Sequence, residues 1–593
     1  MKRALFFCFL QVFSLSLFAE REAQCSCDAE QEVQCSCDAE QEVQCSCDAE
    51  QEAQCPCDQE PLPNKSFPVI GVEIDGILLV GCEESVESRG VEPFKGLQCK
   101  DLVLPGKEYP LYCSLYPFLG KKGLSKEDLL EIKKEIILYY RDNCRPVVTV
   151  EIPKQDITDG VLQILVTEGR LGKFCAVCNE WFCDERILSY MCLCPGDVID
   201  ADILLNDVAW ANRNPFRATD VVFTPGECEG TTDIELRTRD RFPLRAFVGG
   251  DNQGTSTLGN TRLFAGFQWG NFFNLDDVFS YQYTTTTHWR RLHAHSLQYY
   301  SPLPWRHEFT AFGGYAKVKV PIPGSLQLKG ESIQGSGRYT IPFKPLYGPT
   351  AHNFTFGFDF KNTNNNLLFL GENLIPTVTS TINLFQLVAA YDHFIMCDRT
   401  EWAFFIELFG SPGKWLPDQS NSDYEKLRPH ARNRYVYGRV EGRFVYHDIG
   451  GYSVALQARG QGSHETLLPS EQYGLGGAET VRGYDERTFL ADSAFNFNAE
   501  LRSRALKVFC GGKRLCNLND ELIFLAFIDY GIGKNWHSSN GDKKSDWLLG
   551  IGPGLRYAIN PYLSFRFDWG IKLHRTQFDR DWSKFHLGLI AGY

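Results

Sequence analysis

Phe354-Thr355-Phe356-Gly357-Phe358-Asp359-Phe360-Lys361 sets a phenylalanine at every second position, with small or charged residues between. A β-strand turns successive side chains to opposite faces, so one face of this segment is aromatic and the other ends in Asp and Lys. The pattern recurs. Val436, Gly438, Val440, Gly442, Phe444 and Tyr446 oppose Arg439, Glu441 and Arg443, and Tyr452, Val454 and Leu456 oppose Ser453, Ala455 and Gln457. A soluble sandwich also alternates, but an apolar row backed by Arg-Glu-Arg suits a wall with lipid outside and water within. The chain ends in the same rhythm, with Phe585, Leu587, Leu589, Ala591 and Tyr593 at period two. Residues 242–593 are therefore expected to form a transmembrane β-barrel.

Composition agrees. Of 593 residues 13% are aromatic and 52 are Gly, yet no run of eighteen apolar residues follows the N-terminus. That excludes helical membrane spans and favours many short strands. A net charge of −14 offers no basic face for nucleic acid. Twenty-two cysteines exceed what a reducing cytosol usually tolerates in one chain. Lys2 and Arg3 precede an apolar stretch from Ala4 to Phe18 that Ala19 closes, the layout of a secretory signal over residues 1–19.

Residues 20–65 hold an acidic decapeptide repeat in which Cys-Ser-Cys-Asp-Ala-Glu-Gln-Glu starts at Cys25, Cys35 and Cys45, with a degenerate copy at Cys55. Nearly all of the net charge sits here, and no copy can bury an apolar face, so the segment is expected to lack a core. Its thiols, Cys25, Cys27, Cys35, Cys37, Cys45, Cys47, Cys55 and Cys57, allow three readings. A disulfide within one Cys-x-Cys is strained, so oxidation favours links between repeats or to other envelope proteins. A solvated spacer is the second reading. Soft-metal binding has least support, since the tract has no His and lacks the usual Cys-x2-Cys spacing.

From Ser66 the texture is mixed α+β. Val69–Val80 reads as a strand broken at Gly76. Ser125 caps a helix carrying Asp128, Leu129, Ile132, Ile136 and Tyr140, and Val147–Ile152 and Val161–Val166 pair around a polar turn. After Gly169 come a strand at 173–177, helices at 184–190 and 200–212, and strands Ala218–Phe223 and Thr232–Arg237. Here Pro153-x-Gln155-x-Ile157-x-x-Gly160 running to Glu168-Gly169 resembles the end of the first POTRA domain of two-partner secretion transporters of the ShlB/FhaC/HecB type. Asn212-x-Asn214-Pro215 and Thr224-Pro225-Gly226-x-x-x-Gly230-Thr231 are similar to the end of their second. The resemblance implies a mainly β chain: POTRA domains at 66–168 and 169–241, then a sixteen-stranded antiparallel barrel over 242–593. That division gives about 22 residues per strand with its connection, where a tilted strand needs ~9–11 to cross. Many relatives carry a plug helix at the N-terminus, where this chain has its cysteine repeat.

Gly476-Gly477-x-x-x-Val481-Arg482-Gly483-Tyr484 is the most specific motif. In the family, Val-Arg-Gly-Tyr tips the sixth extracellular loop, which folds into the lumen, and its Arg pairs with the Asp of a Phe-x-Asp pattern on a later strand. Phe527-Ile528-Asp529-Tyr530-Gly531 supplies that pattern, with Phe527 and Asp529 on one face. Phe567-Asp568 is set aside because its Phe and Asp are adjacent. An Arg fork fixes loop depth better than Lys could. In a wet lumen the pair is expected to position the loop more than to stabilise it.

No catalytic constellation, cofactor motif or metal site competes. His293-x-His295, near His288, reads as one strand face, and Cys175-x-x-Cys178 and Cys192-x-Cys194 read as disulfides of an exported domain. The resemblance implies an outer-membrane transporter, not an enzyme, with its POTRA domains in the periplasm of a Gram-negative-type cell. It would pass an exoprotein with an N-terminal secretion domain to the surface, among outer-membrane lipids and after insertion by the barrel assembly machinery. Strand edges, with Val161–Val166 and Thr232–Arg237 as candidates, would add the partner's segment to a sheet. Two rivals differ in class. An insertase for other barrels generally carries three or more POTRA domains, and a cross-linked structural porin needs neither the POTRA endings nor Val-Arg-Gly-Tyr.

Overall fold

The computed structural model describes residues 70–228, 230–255, 258–322, 326–343, 350–364, 381–448, 450–508, 519–537, 543–576 and 581–593. The expected signal segment and the cysteine repeat lie outside them.

The first module is a four-stranded sheet in the order Gly96–Lys100, Gly76–Val80, Val161–Glu168, Val148–Glu151, with the last strand antiparallel. Its main helix, Lys126–Asp142, starts at a capping box: Asp128 N–H donates to Ser125 Oγ and Ser125 N–H to the Asp128 carboxylate. Ile132, Ile136 and Tyr140 lie one turn apart and bury with Ile77, Leu79 and Ile164 of the sheet. The strand Gly96–Lys100 and the helix Glu108–Leu115 are additions to the sequence reading. The second module orders its sheet Arg170–Val177, Thr231–Asp240, Arg217–Pro225, with helices Asp184–Leu188 and Ala201–Ala211.

Two expectations are corrected here. Val161–Glu168 and Thr231–Asp240 are interior strands with a partner on each side, so neither is an edge. The outer strands are Gly96–Lys100 and Val148–Glu151 in the first sheet, and Arg170–Val177 and Arg217–Pro225 in the second. The expected disulfides are also absent: every described cysteine is a free thiol. Cys192 and Cys194 are too close along the chain for an unstrained bridge, and the Cys192 sulfur instead takes a 2.9 Å hydrogen bond from Arg306.

Sixteen antiparallel strands then close into a barrel, from Leu244–Asp251 to Ser583–Gly592. The closing seam pairs Phe247–Asp251 with Gly588–Gly592. Near the seam the strands are short, with 8 residues in Leu244–Asp251 and 9 in Arg262–Gly270, whereas Leu326–Phe343 has 18. Phe354, Phe356 and Phe358 face outward and are exposed, while Asp359 and Lys361 are buried inside. Val436 and Val440 point out, and Glu441 faces inward between Arg443 and Arg459. Phe585, Leu587 and Leu589 of the last strand are also outward. His293 and His295 share one face, bonded through Nδ1 to Tyr283 and Tyr281.

Candidate functional site

The eleventh strand (Ser453–Ser463) and the twelfth (Ser493–Arg502) are joined by loop six, which descends into the lumen around a small hairpin, Tyr473–Leu475 with Phe489–Ala491. At its tip Val481 packs with Leu475, Tyr484 and Leu548. The tip lies flat on a floor of glycines. A Cβ on Gly570 would stand 2.1 Å from the Gly483 nitrogen, one on Gly550 2.1 Å from the Arg482 carbonyl oxygen, and one on Gly531 2.9 Å from Val481. Gly483 itself has φ +99, which other residues rarely adopt. Backbone and ring bonds complete the seat. Gly483 N–H donates to His586 Nε2 at 3.0 Å, and the Tyr484 hydroxyl donates to the His574 carbonyl while accepting from Leu549 N–H at 3.2 Å.

Arg482 is the centre of the site. Its Nε and Nη2 hold the two oxygens of Asp529 at 2.7 and 2.8 Å, and its own backbone N–H donates to the same carboxylate at 3.0 Å. Nη1 reaches Glu500 at 2.6 Å and Asp568 at 3.4 Å, and the guanidinium carbon stands 3.6 Å over the Phe527 ring. Arg556 of the fourteenth strand (Ser545–Asn560) and Arg566 of the fifteenth (Leu563–Lys572) pair with Asp568, and Arg566 also bonds Glu479 in the loop. Arg482 is 2% exposed and Asp529 0%. The wet-lumen expectation therefore fails locally, because the folded loop walls the pair off from the open lumen. Breaking one side of such a pair strands a buried charge.

The sequence search missed Glu500, Asp568 and His586. The adjacency of Phe567 does not remove Asp568 from the site, because the strand alternates: Asp568 shares the lumen face with Arg566, and Phe567 takes the other, stacked on Phe585. Phe527, Asp529 and Gly531 all face the tip.

The POTRA motif residues prove to be framework. Gln155 closes the sheet where the ladder ends, accepting from Gln163 N–H at 2.7 Å and donating to its carbonyl at 2.6 Å. Gly160 sits in the preceding turn, its carbonyl accepting from Asp75 and Gly76. Glu168 lies 3.7 Å from Arg145, and a Cβ on Gly169 would strike Val147 at 2.5 Å. Pro225, Gly226 and Gly230 make the turn between the last two strands of the second module. Asn214, ahead of Pro215, reaches the barrel: its amide donates to Asp276 at 2.7 Å, in the turn between the barrel strands Arg262–Gly270 and Val278–Thr286. Tyr190 and Arg217 hold the other oxygen of Asp276. Asn214, Arg217 and Asp276 are all buried.

Known proteins place this architecture. The chain is 24% identical over 464 residues to the heme/hemopexin transporter protein HuxB of Haemophilus influenzae, covering 75% of this chain and 78% of that one. It is 22% identical to the outer membrane transporter CdiB of Dickeya dadantii, covering 68% and 69%. The solved structure of CdiB from Escherichia coli superposes with a TM-score of 0.64 at 17% identity, covering 91% of this chain and 93% of that one. CdiB from Acinetobacter baumannii gives 0.59 at 16% identity, covering 90% and 93%. Residues 230–557 match the family described as haemolysin secretion/activation protein ShlB/FhaC/HecB. With that match, a closed barrel and two periplasmic POTRA modules, the chain belongs to the ShlB/FhaC/HecB family of outer-membrane two-partner secretion transporters.

Proposed function

We propose that this transporter passes one partner exoprotein, unfolded, from periplasm to cell surface, with the POTRA modules receiving its N-terminal segment and loop six gating the lumen. The observation that carries the reading is Arg482, a loop residue whose guanidinium is bonded by three wall carboxylates inside the barrel. A static pore has no need to tie a surface loop this deep with charged groups. Release of the tip rehydrates both sides of the pair, so the tie can open without leaving dry charges. The outer strands of each module offer backbone groups to an amphipathic segment. Folding outside makes the transfer irreversible. The described cysteines favour cross-links to periplasmic partners, since they lie in the POTRA modules or, for Cys397, at the end of the eighth barrel strand (Thr381–Cys397), where it turns back toward Thr400.

Coexpression with an exoprotein that carries an N-terminal secretion domain, scored by its appearance outside the cell, tests the reading. The intact chain should export it, and a chain lacking residues 66–241 should not. Wild-type export by that deletion would overturn recognition by the modules, and normal export by Arg482→Ala would overturn gating by the tip.

A further inference from the structure

Loop six is held at a second place, on the other side of the lumen. Glu471 lies on its descending limb, between the eleventh strand and the small hairpin, and is 0% exposed. One carboxylate oxygen receives Lys361 Nζ at 2.6 Å and Ser470 Oγ at 2.9 Å. The other receives Tyr437 Oη at 2.8 Å and Gln386 Nε2 at 3.3 Å. Lys361 is itself 1% exposed and belongs to the seventh strand (Thr350–Asn364), Gln386 to the eighth (Thr381–Cys397), Tyr437 to the tenth (Arg434–His447). Even the Glu471 carbonyl is used, accepting from Arg439 and Gln461. The residues of this knot lie toward the extracellular ends of their strands, above the level of Arg482.

Above it two extracellular loops pack together. The loop between the ninth and tenth strands carries a short helix, Asn421–Leu427, and its Tyr424, Leu427 and Ala431 pack with Leu467 and Leu468 of loop six against Tyr435 and Tyr437 of the wall. Arg428 ties the two loops together, bonding the Leu467 carbonyl at 2.5 Å and the Asp492 carboxylate. Two loops thus form one lid, and Glu471 is where the lid meets the far wall.

We propose that the Glu471–Lys361 pair is the latch of this lid, and that the exit opens only when Glu471 leaves the wall. Glu471 is a positioning residue for transport: it holds the shoulder of loop six as Arg482 holds the tip. Two features fit a latch better than a permanent strut. Burying an ammonium and a carboxylate together is close to break-even against apolar packing, so the pair contributes register more than stability. When the lid lifts, water enters and resolvates both charges, whereas an apolar plug would resist exposure. The inference rests on loop six moving during export, but its test reads the closed state alone.

The test uses the full chain, purified and inserted in planar bilayers, with heat-modifiable migration checking that each variant folds. Glu471→Gln removes the carboxylate charge that meets the Lys361 ammonium, and it should raise the open fraction of the resting pore at least about tenfold. Lys361→Met should act in the same direction, and the double variant should be no more open than Glu471→Gln alone. Tyr437→Phe removes one hydrogen bond while keeping the ring stacked on Phe409, and should give a smaller rise in a securely folded barrel. Resting conductance unchanged in Glu471→Gln and Tyr437→Phe would overturn the latch, as would strictly additive effects of Glu471→Gln and Lys361→Met. If those variants open the pore but Arg482→Ala secretes normally, the latch stands and gating by the Arg482 tip falls.

Discussion

Arg482 places its side-chain nitrogens and its backbone N–H on acidic oxygens, and no other residue type could do so: Lys has one charged atom and no planar fork. Arg482→Ala leaves Asp529, Glu500 and Asp568 facing one another and should loosen loop docking by on the order of 3–5 kcal/mol. Secretion should collapse while the barrel still assembles. Asp529→Ala should give a similar defect and Asp529→Asn a milder one, because the amide keeps one acceptor. The double variant should secrete about as poorly as Arg482→Ala alone, and additive losses would show that the two act separately. The sequence announced Arg482 and Asp529 because each sits in a short local pattern. Glu500 and Asp568 carry no such pattern. They reach Arg482 only because barrel closure brings the twelfth and fifteenth strands to either side of the loop, and that is a long-range consequence of strand order.

At the scale of elements the joint between the two POTRA modules is the most informative. Asp200 caps the helix Ala201–Ala211, accepting from the N–H groups of Asp202 and Ile203, and also receives Arg145 of the first module at 2.5 Å. Partial burial alone would raise this carboxyl, but the Arg145 guanidinium and the helix N–H groups hold it below the ordinary carboxylate range. A depressed pKa contributes stability above the unfolded value, ~3.9 for Asp, and loses it as pH falls through the lower folded value. Asp200→Ala in a soluble 66–241 fragment should therefore melt earlier at pH 7, by roughly 0.5–2 kcal/mol. Its difference from the parent should shrink on acidification below that range, and a pH-independent difference would remove the charge from the explanation. Helices with a cap and a period, such as Lys126–Asp142, were readable in advance, as was the alternation at Phe354–Lys361. The lid helix Asn421–Leu427 was not, because seven residues without an apolar repeat resemble any polar loop. Edge strands were misjudged for another reason: which strand lies outermost depends on sheet order, and hydrophobic alternation is the same for an interior strand and an edge.

The whole molecule divides into a soluble arm and a membrane wall, joined at Asp276. Residues 242–593 alone should insert as a heat-modifiable barrel, since closure leaves no unpaired edge, while residues 66–241 should remain in the aqueous fraction. A soluble, helical 242–593 fragment would contradict the architecture. The unequal strand lengths carry a further meaning for the surrounding lipid. At ~3.3 Å per residue and a tilt of ~40°, eight residues climb only ~20 Å, less than the ~25 Å apolar band usual for such walls. The long strands around Leu326–Phe343 easily exceed that height. Acyl chains beside Leu244–Asp251 must therefore bunch and shorten to match the wall, while those on the far side stay relaxed. The bilayer is pinched on the flank where the first and last strands meet, so the seam that closes the cylinder lies in the thinnest membrane around it.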